Sequence, residues 1–91
     1  MTREETENRI RELIVGSLDL EDLRPGDIVV DEPLFGEGLG LDSIDALELG
    51  MAVKKAFGVA FPKNPAENRR IFHSVKTLAD FVEANAAKET R

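Results

Sequence analysis

The 91-residue chain has 12 basic and 18 acidic side chains, for a net charge of -6. That length suffices for a single domain (1–91) with one modest core, and a second domain has no room. Cysteine is absent, which excludes a disulfide, a thiolate metal site and a cysteine nucleophile, so any thiol chemistry must come from an attached group.

The hydrophobic share of 42% is that of a soluble globular chain rather than a disordered one. No apolar run is long enough for a membrane span, and the acidic opening Glu4-Glu5-Thr6-Glu7 is the wrong flank for a signal peptide. The expected location is cytoplasmic. Charge is distributed unevenly. Ten acids (Asp19, Glu21, Asp22, Asp27, Asp31, Glu32, Glu37, Asp42, Asp45, Glu48) face the single base Arg24 in the stretch 19–48. Beyond Glu48, Lys54, Lys55, Lys63, Arg69, Arg70, Lys76, Lys88 and Arg91 outnumber Glu67, Asp80, Glu83 and Glu89. An acidic end of this kind steers toward basic patches on partner proteins and repels nucleic acid, although scattered charge is more often plain solvated surface.

The first helix is expected at about 3–18. Ile10, Leu13, Ile14, Ser17 and Leu18 share one face, Arg9, Arg11 and Glu12 point elsewhere, and Gly16 weakens the last turn. The stretch 19–41 is a long connection punctuated by Pro25-Gly26, Pro33, Gly36, Gly38 and Gly40. Its apolar residues (Leu20, Leu23, Ile28 and Leu34 among them) predict a loop pinned across the bundle rather than a free linker. Ile28-Val29-Val30 has no partner strand.

The second helix is expected at 43–57, closed by Gly58. Ala46, Leu49, Gly50, Val53, Ala56 and Phe57 form its core face, while Ile44 and Met51 fall nearly opposite, with Leu47 between the two sets and Glu48 and Lys55 alongside. That second stripe is either a docking surface or a seam covered by a neighbouring helix or the loop. After the extended link 58–62, Asn64-Pro65-Ala66-Glu67 reads as a cap, a first-turn proline and a capping-box acid. The short third helix runs to about 72, with Ile71 and Phe72 inward and Arg69 and Arg70 outward. Ser74 caps a fourth helix at 75–87, whose inner face is Val75, Leu78, Ala79, Val82 and Ala86 with Phe81 at its margin, and whose tail frays. Four helical segments, one of them short, predict a small all-α four-helix bundle with a long first loop.

Chemistry concentrates where the loop meets the second helix, at Gly38-Leu39-Gly40-Leu41-Asp42-Ser43-Ile44-Asp45-Ala46-Leu47-Glu48-Leu49. Asp42 is a good N-cap and Asp45 resembles the acidic half of a capping box. Ser43 then falls at the first helical position, near unpaired N–H groups and the positive dipole end, a place that favours an attached phosphate. On local physics alone a serine here is more often a simple cap.

The stretch Leu39-Gly40-Leu41-Asp42-Ser43-Ile44-Asp45 with Leu47-Glu48-Leu49 resembles the 4'-phosphopantetheine attachment motif of acyl carrier proteins, and the likeness extends over about 10–82. The resemblance implies a four-helix carrier fold. It also implies a covalent 4'-phosphopantetheine on Ser43, delivered from coenzyme A by a phosphopantetheinyl transferase, with Asp42 as the flanking motif residue. Partner enzymes of ketosynthase, acyltransferase or acyl-ACP synthetase type would then dock on Ile44, Asp45, Leu47, Glu48 and Met51. The arm would shelter between the second and third helices near Leu47 and Ile71, and the carrier would be a monomer.

Two departures from the family pattern bear on the pathway. Lys54 and Lys55 stand where fatty-acid carriers are usually acidic. The segment Glu67-Asn68-Arg69-Arg70-Ile71-Phe72-His73-Ser74-Val75 resembles carriers of specialised pathways of aryl polyene or polyketide-like type. Asp42, rather than the glycine typical of peptidyl carriers, stands against an amino-acid cargo; a peptidyl or aminoacyl carrier and an unmodified helical adaptor remain as alternatives. An enzyme is not expected: His73 is the sole histidine, no Gly-x-Ser-x-Gly elbow exists, the glycine loop lacks a P-loop lysine, and the acids do not follow calcium-loop spacing.

Overall fold

A computed structural model describes residues 2–18, 20, 22–35 and 40–89, with the side chains of Ser43 and of residues 86–89 outside that description. Several sequence expectations therefore lie outside the described residues. They concern Asp19, Glu21, the loop residues Gly36 and Glu37, the motif residues Gly38 and Leu39, the inward placement of Ala86, and the tail.

Four helices are present: α1 (Arg3–Ser17), α2 (Ser43–Phe57), α3 (Pro65–Ile71) and α4 (Val75–Glu89). No strand occurs among the described residues, which hold only an isolated parallel bridge between Phe35 and Leu41. Each helix start follows from a side chain that satisfies otherwise unpaired backbone N–H groups. Thr2 caps α1 in a reciprocal box with Glu5. Asn64 Oδ1 accepts from the Ala66 and Glu67 N–H groups at 2.8 and 3.2 Å. Glu67 makes no return bond among the described residues, so the expected box on α3 is a one-sided cap. Ser74 is buried and accepts from Thr77 N–H at 3.2 Å, while Thr77 Oγ1 accepts from Ser74 N–H at 2.9 Å. Gly58 closes α2 in the left-handed region at φ 69°, a conformation that favours glycine.

The core joins Ile10 and Ile14 of α1, Leu49 and Val53 of α2, and Val75, Leu78, Ala79 and Val82 of α4. Thr6 extends the buried face of α1 by one turn, its hydroxyl donating to the Thr2 carbonyl at 3.1 Å. Helix α1 packs against both α2 and α4. Two placements differ from the sequence reading. Ala56 is exposed, and the core at that end of α2 is filled by Val53 and by Val59, which reaches back from the link after Gly58. Phe61, in the same link, stacks on Phe81 and tilts against Phe72, both at 4.9 Å between ring centroids.

The long connection is pinned as its composition predicts. Ile28, Leu34 and Leu41 are buried in the core. Three backbone hydrogen bonds tie it down: Leu34 N–H to the His73 carbonyl (2.8 Å), Lys76 N–H to the Val30 carbonyl (2.8 Å) and Leu41 N–H to the Leu34 carbonyl (3.3 Å). Arg11 Nε adds a donor to the Ile28 carbonyl at 2.9 Å. Beside the connection Arg3 joins Glu7, Asp80 and Glu83 at 2.7–2.9 Å, linking the start of α1 to α4.

Leu34 is a stringent probe of this anchoring, because a loop residue that merely covered the bundle would tolerate truncation. Leu34→Ala is expected to cost about 2–5 kcal/mol, the range for a fully buried leucine, measured as a lowered urea midpoint with an unchanged slope.

Candidate functional site at the start of the second helix

The loop delivers the chain into α2 through Gly40, whose φ of 74° turns the backbone, and through Leu41, buried in the core. Asp42 then takes an extended conformation as N-cap. One carboxylate oxygen, Asp42 Oδ1, accepts from both the Ile44 and Asp45 N–H groups at 3.1 Å. Asp45 Oδ2 returns the bond by accepting from Asp42 N–H at 3.1 Å. This corrects one part of the sequence expectation. The N–H groups of Ile44 and Asp45 are not waiting for a phosphate, because Asp42 already holds them. Ser43 is the first residue of α2, and its side chain lies outside the described residues.

Outward from this junction, Ile44, Leu47 and Met51 are 67%, 67% and 65% exposed. Among the described residues neither a helix nor the loop covers this second stripe. Leu47, placed between the two sets by the sequence, belongs with the exposed one. At spacings of three and four residues the side chains line one face of the helix. Glu48 is exposed beside them and Asp45 is half-buried. The last turn carries Lys54 and Lys55, both exposed, which complement the negative end of the helix dipole. Helix α2 is therefore acidic at its start and basic at its end.

Between α2 and α3 lies a largely apolar groove of about 780 Å³. Asp42 and Lys54 both line it, so it follows α2 for about 18 Å at the usual helical rise. Leu47 and Met51 form part of its lining, and Asn68 and Arg69 of α3 contribute from the other side. Gly50 also lines the groove, and a Cβ there would stand 3.3 Å from Phe72 Cζ, so the missing side chain lets the ring approach the helix. Ile71, expected at this gap, lines a separate depression with Phe61 and Phe81, and Phe72 takes its place. One lining residue carries an unusual polar atom. Asn68 Oδ1 is buried and has no hydrogen-bond partner among the described residues.

A family model described as a phosphopantetheine attachment site matches residues 8–84. The chain belongs to this family of acyl carrier proteins. Its members bind 4'-phosphopantetheine covalently and act as carrier domains rather than catalysts. Carriers of this kind work with a phosphopantetheinyl transferase and with biosynthetic enzymes. No described helix is long and apolar enough to cross a membrane.

The residues present fit such a group. The arm is a flexible chain with two amides, and the groove beginning at Asp42 is mainly apolar, with Asp42, Lys54, Asn68 and Arg69 as its polar lining. Sequence reasoning located Asp42, Asp45 and the exposed stripe, but missed Gly50, Phe72 and Asn68. Only the small residue at position 50, opposite an aromatic, could have hinted at a close approach.

The cap geometry carries a stability cost that can be checked. Asp42→Ala removes the acceptor for two N–H groups and is expected to destabilise the fold by about 1 kcal/mol, read as a lower thermal midpoint with little loss of helical circular dichroism.

Proposed function

We propose that Ser43 carries the 4'-phosphopantetheine and that the protein is an acyl carrier for fatty acid, polyketide or aryl polyene-type biosynthesis. The observation that carries this reading is the division of labour at the junction. Asp42 caps α2 with its own carboxylate and needs no hydroxyl from its neighbour. Ser43 can then offer its oxygen for a phosphodiester at the first position of the helix.

The chain's own residues position the arm and address it. Asp42 and Asp45 lock the loop to the helix, so the attachment point is presented by rigid backbone. Ile44, Leu47 and Met51, with Glu48 and Asp45 beside them, make a small apolar and acidic surface suited to weak, exchangeable contact with basic partner enzymes. Those partners are a phosphopantetheinyl transferase and enzymes of ketosynthase, acyltransferase or acyl-ACP synthetase type. When bound, the arm supplies a terminal thiol that holds an acyl group as a thioester. Tethering raises the concentration of that group at a docked enzyme without a catalytic side chain from the carrier. The lysines at the end of α2 and the segment 67–75 favour a specialised pathway over housekeeping fatty-acid synthesis. A monomer in the cytoplasm is the corresponding state.

Incubation with coenzyme A and a broad-specificity phosphopantetheinyl transferase is expected to add the mass of one phosphopantetheine to the wild type and none to Ser43→Ala. An unmodified wild type would leave only a helical adaptor. Met51→Glu is expected to accept the arm normally yet slow acyl transfer by a partner enzyme about tenfold, equivalent to about 1.4 kcal/mol of docking energy. Loss of helical circular dichroism in Met51→Glu would instead make position 51 part of the core.

A further inference from the structure

Helix α2 carries its charges in a fixed order. Asp45 and Glu48 stand beside the exposed stripe in the first turns, and Lys54 and Lys55 stand in the last turn. Lys55 follows Met51 by four residues and Glu48 by seven, so it continues the stripe itself. Lys54 lies on the groove side, where Arg69 of α3 joins it in the lining. All three cations are exposed. None of them forms an ion pair among the described residues, whereas Arg3 alone gathers three carboxylates.

Helix dipoles account for only part of this. Each dipole favours a base in its own last turn, and all three cations satisfy that rule. A dipole does not require bases from two helices to meet along one groove. Asp42, the one acid among the described lining residues, is about 18 Å from Lys54 along the helix. Like charges gathered in this way raise each other's energy unless a counter-charge arrives from outside. With a net charge of -6, the chain carries here a positive spot on a negative molecule. From Asp45 to Lys54 the helix rises about 14 Å, more than the screening length of about 8 Å at physiological salt. A docked partner therefore feels the two ends of the stripe separately.

We propose that Lys54, Lys55 and Arg69 form a second docking patch that takes carboxylates of a partner enzyme. The fitting partner presents a basic region over the start of α2 and an acidic region over its end. The proposal rests on the carrier reading and adds to it the partner's charge layout. The order of signs fixes the direction in which a partner lies along α2, and so its distance from Ser43. It also rejects an enzyme whose docking surface is basic throughout, because that enzyme meets three uncompensated cations.

The test is a charge swap between the holo carrier and a ketosynthase. The probes are a ketosynthase with a uniformly basic carrier-docking surface, and a variant of it with glutamates in place of the bases farthest from its active-site entrance. Combined Lys54→Glu and Lys55→Glu is expected to raise kcat/KM for acyl transfer to the uniformly basic enzyme about tenfold, chiefly through KM. With the glutamate variant the same carrier is expected to lose a similar factor. Both differences shrink at high salt. Combined Lys54→Gln and Lys55→Gln is expected to shift both rates in the same directions by less, which keeps the test open should the doubly acidic carrier misfold. Rates that stay unchanged, or that change alike with both enzymes, overturn the patch. Intact mass confirms the arm on each carrier beforehand, so failure on loaded protein leaves the carrier reading standing. A wild type that takes no arm overturns that reading and the patch with it.

Discussion

One carboxylate oxygen holding two backbone N–H groups is the constraint on which the site depends. Asp42 Oδ1 fixes where α2 begins, and the returning Asp45 carboxylate fixes the entry angle of the loop. Buried Leu41 immediately before the cap, and the Leu41 N–H bond to Leu34, transmit the position of the core to that junction. Leu34 in turn is held by the carbonyl of His73, in the turn between α3 and α4. The start of α2 is thus registered against the turn between α3 and α4 through a loop of irregular backbone. Such precision suits an attachment point that a transferase and several biosynthetic enzymes must all find.

The second organising feature is the division of α2 into two faces. Leu49 and Val53 face the core, Leu47 and Met51 lie exposed along the groove, and Ile44 extends the exposed stripe toward the cap. Gly50 contributes by absence, since the space of its missing side chain admits Phe72. Charge is sorted along the same helix, with Asp42, Asp45 and Glu48 at its start and Lys54 and Lys55 at its end. The arrangement follows the helix dipole and also gives the exposed stripe an acidic neighbourhood toward the start of α2.

Most of the helical skeleton was legible in the sequence because local signals agreed with one another. Asn64-Pro65, Ser74, Asp42 and Gly58 are cap residues whose chemistry acts within one turn, and the apolar spacing of α1, α2 and α4 points to a single interior. What escaped depends on contacts distant in sequence. Val59 is buried where Ala56 was expected to be because the helix ends at the left-handed Gly58 and the residue after it turns inward, which no helical wheel reports. Phe72 replaces Ile71 in the groove because the short α3 ends one residue earlier and its cap residue turns inward. The unpartnered oxygen of Asn68 was invisible for the same reason, since its orientation follows from the bond of Nδ2 to the Pro62 carbonyl. The exposed stripe was visible as a pattern, but only the fold shows that nothing in the described chain covers it.

We propose the oxygen at the first position of α2 as the covalent handle. Peptide mapping of the transferase-treated protein by fragmentation mass spectrometry tests it most directly. The predicted result is a phosphopantetheine mass on a fragment ion that can be cut down to Ser43 and no other residue. The same mass on Ser17, Ser74 or a threonine, with Ser43 unmodified, would contradict it.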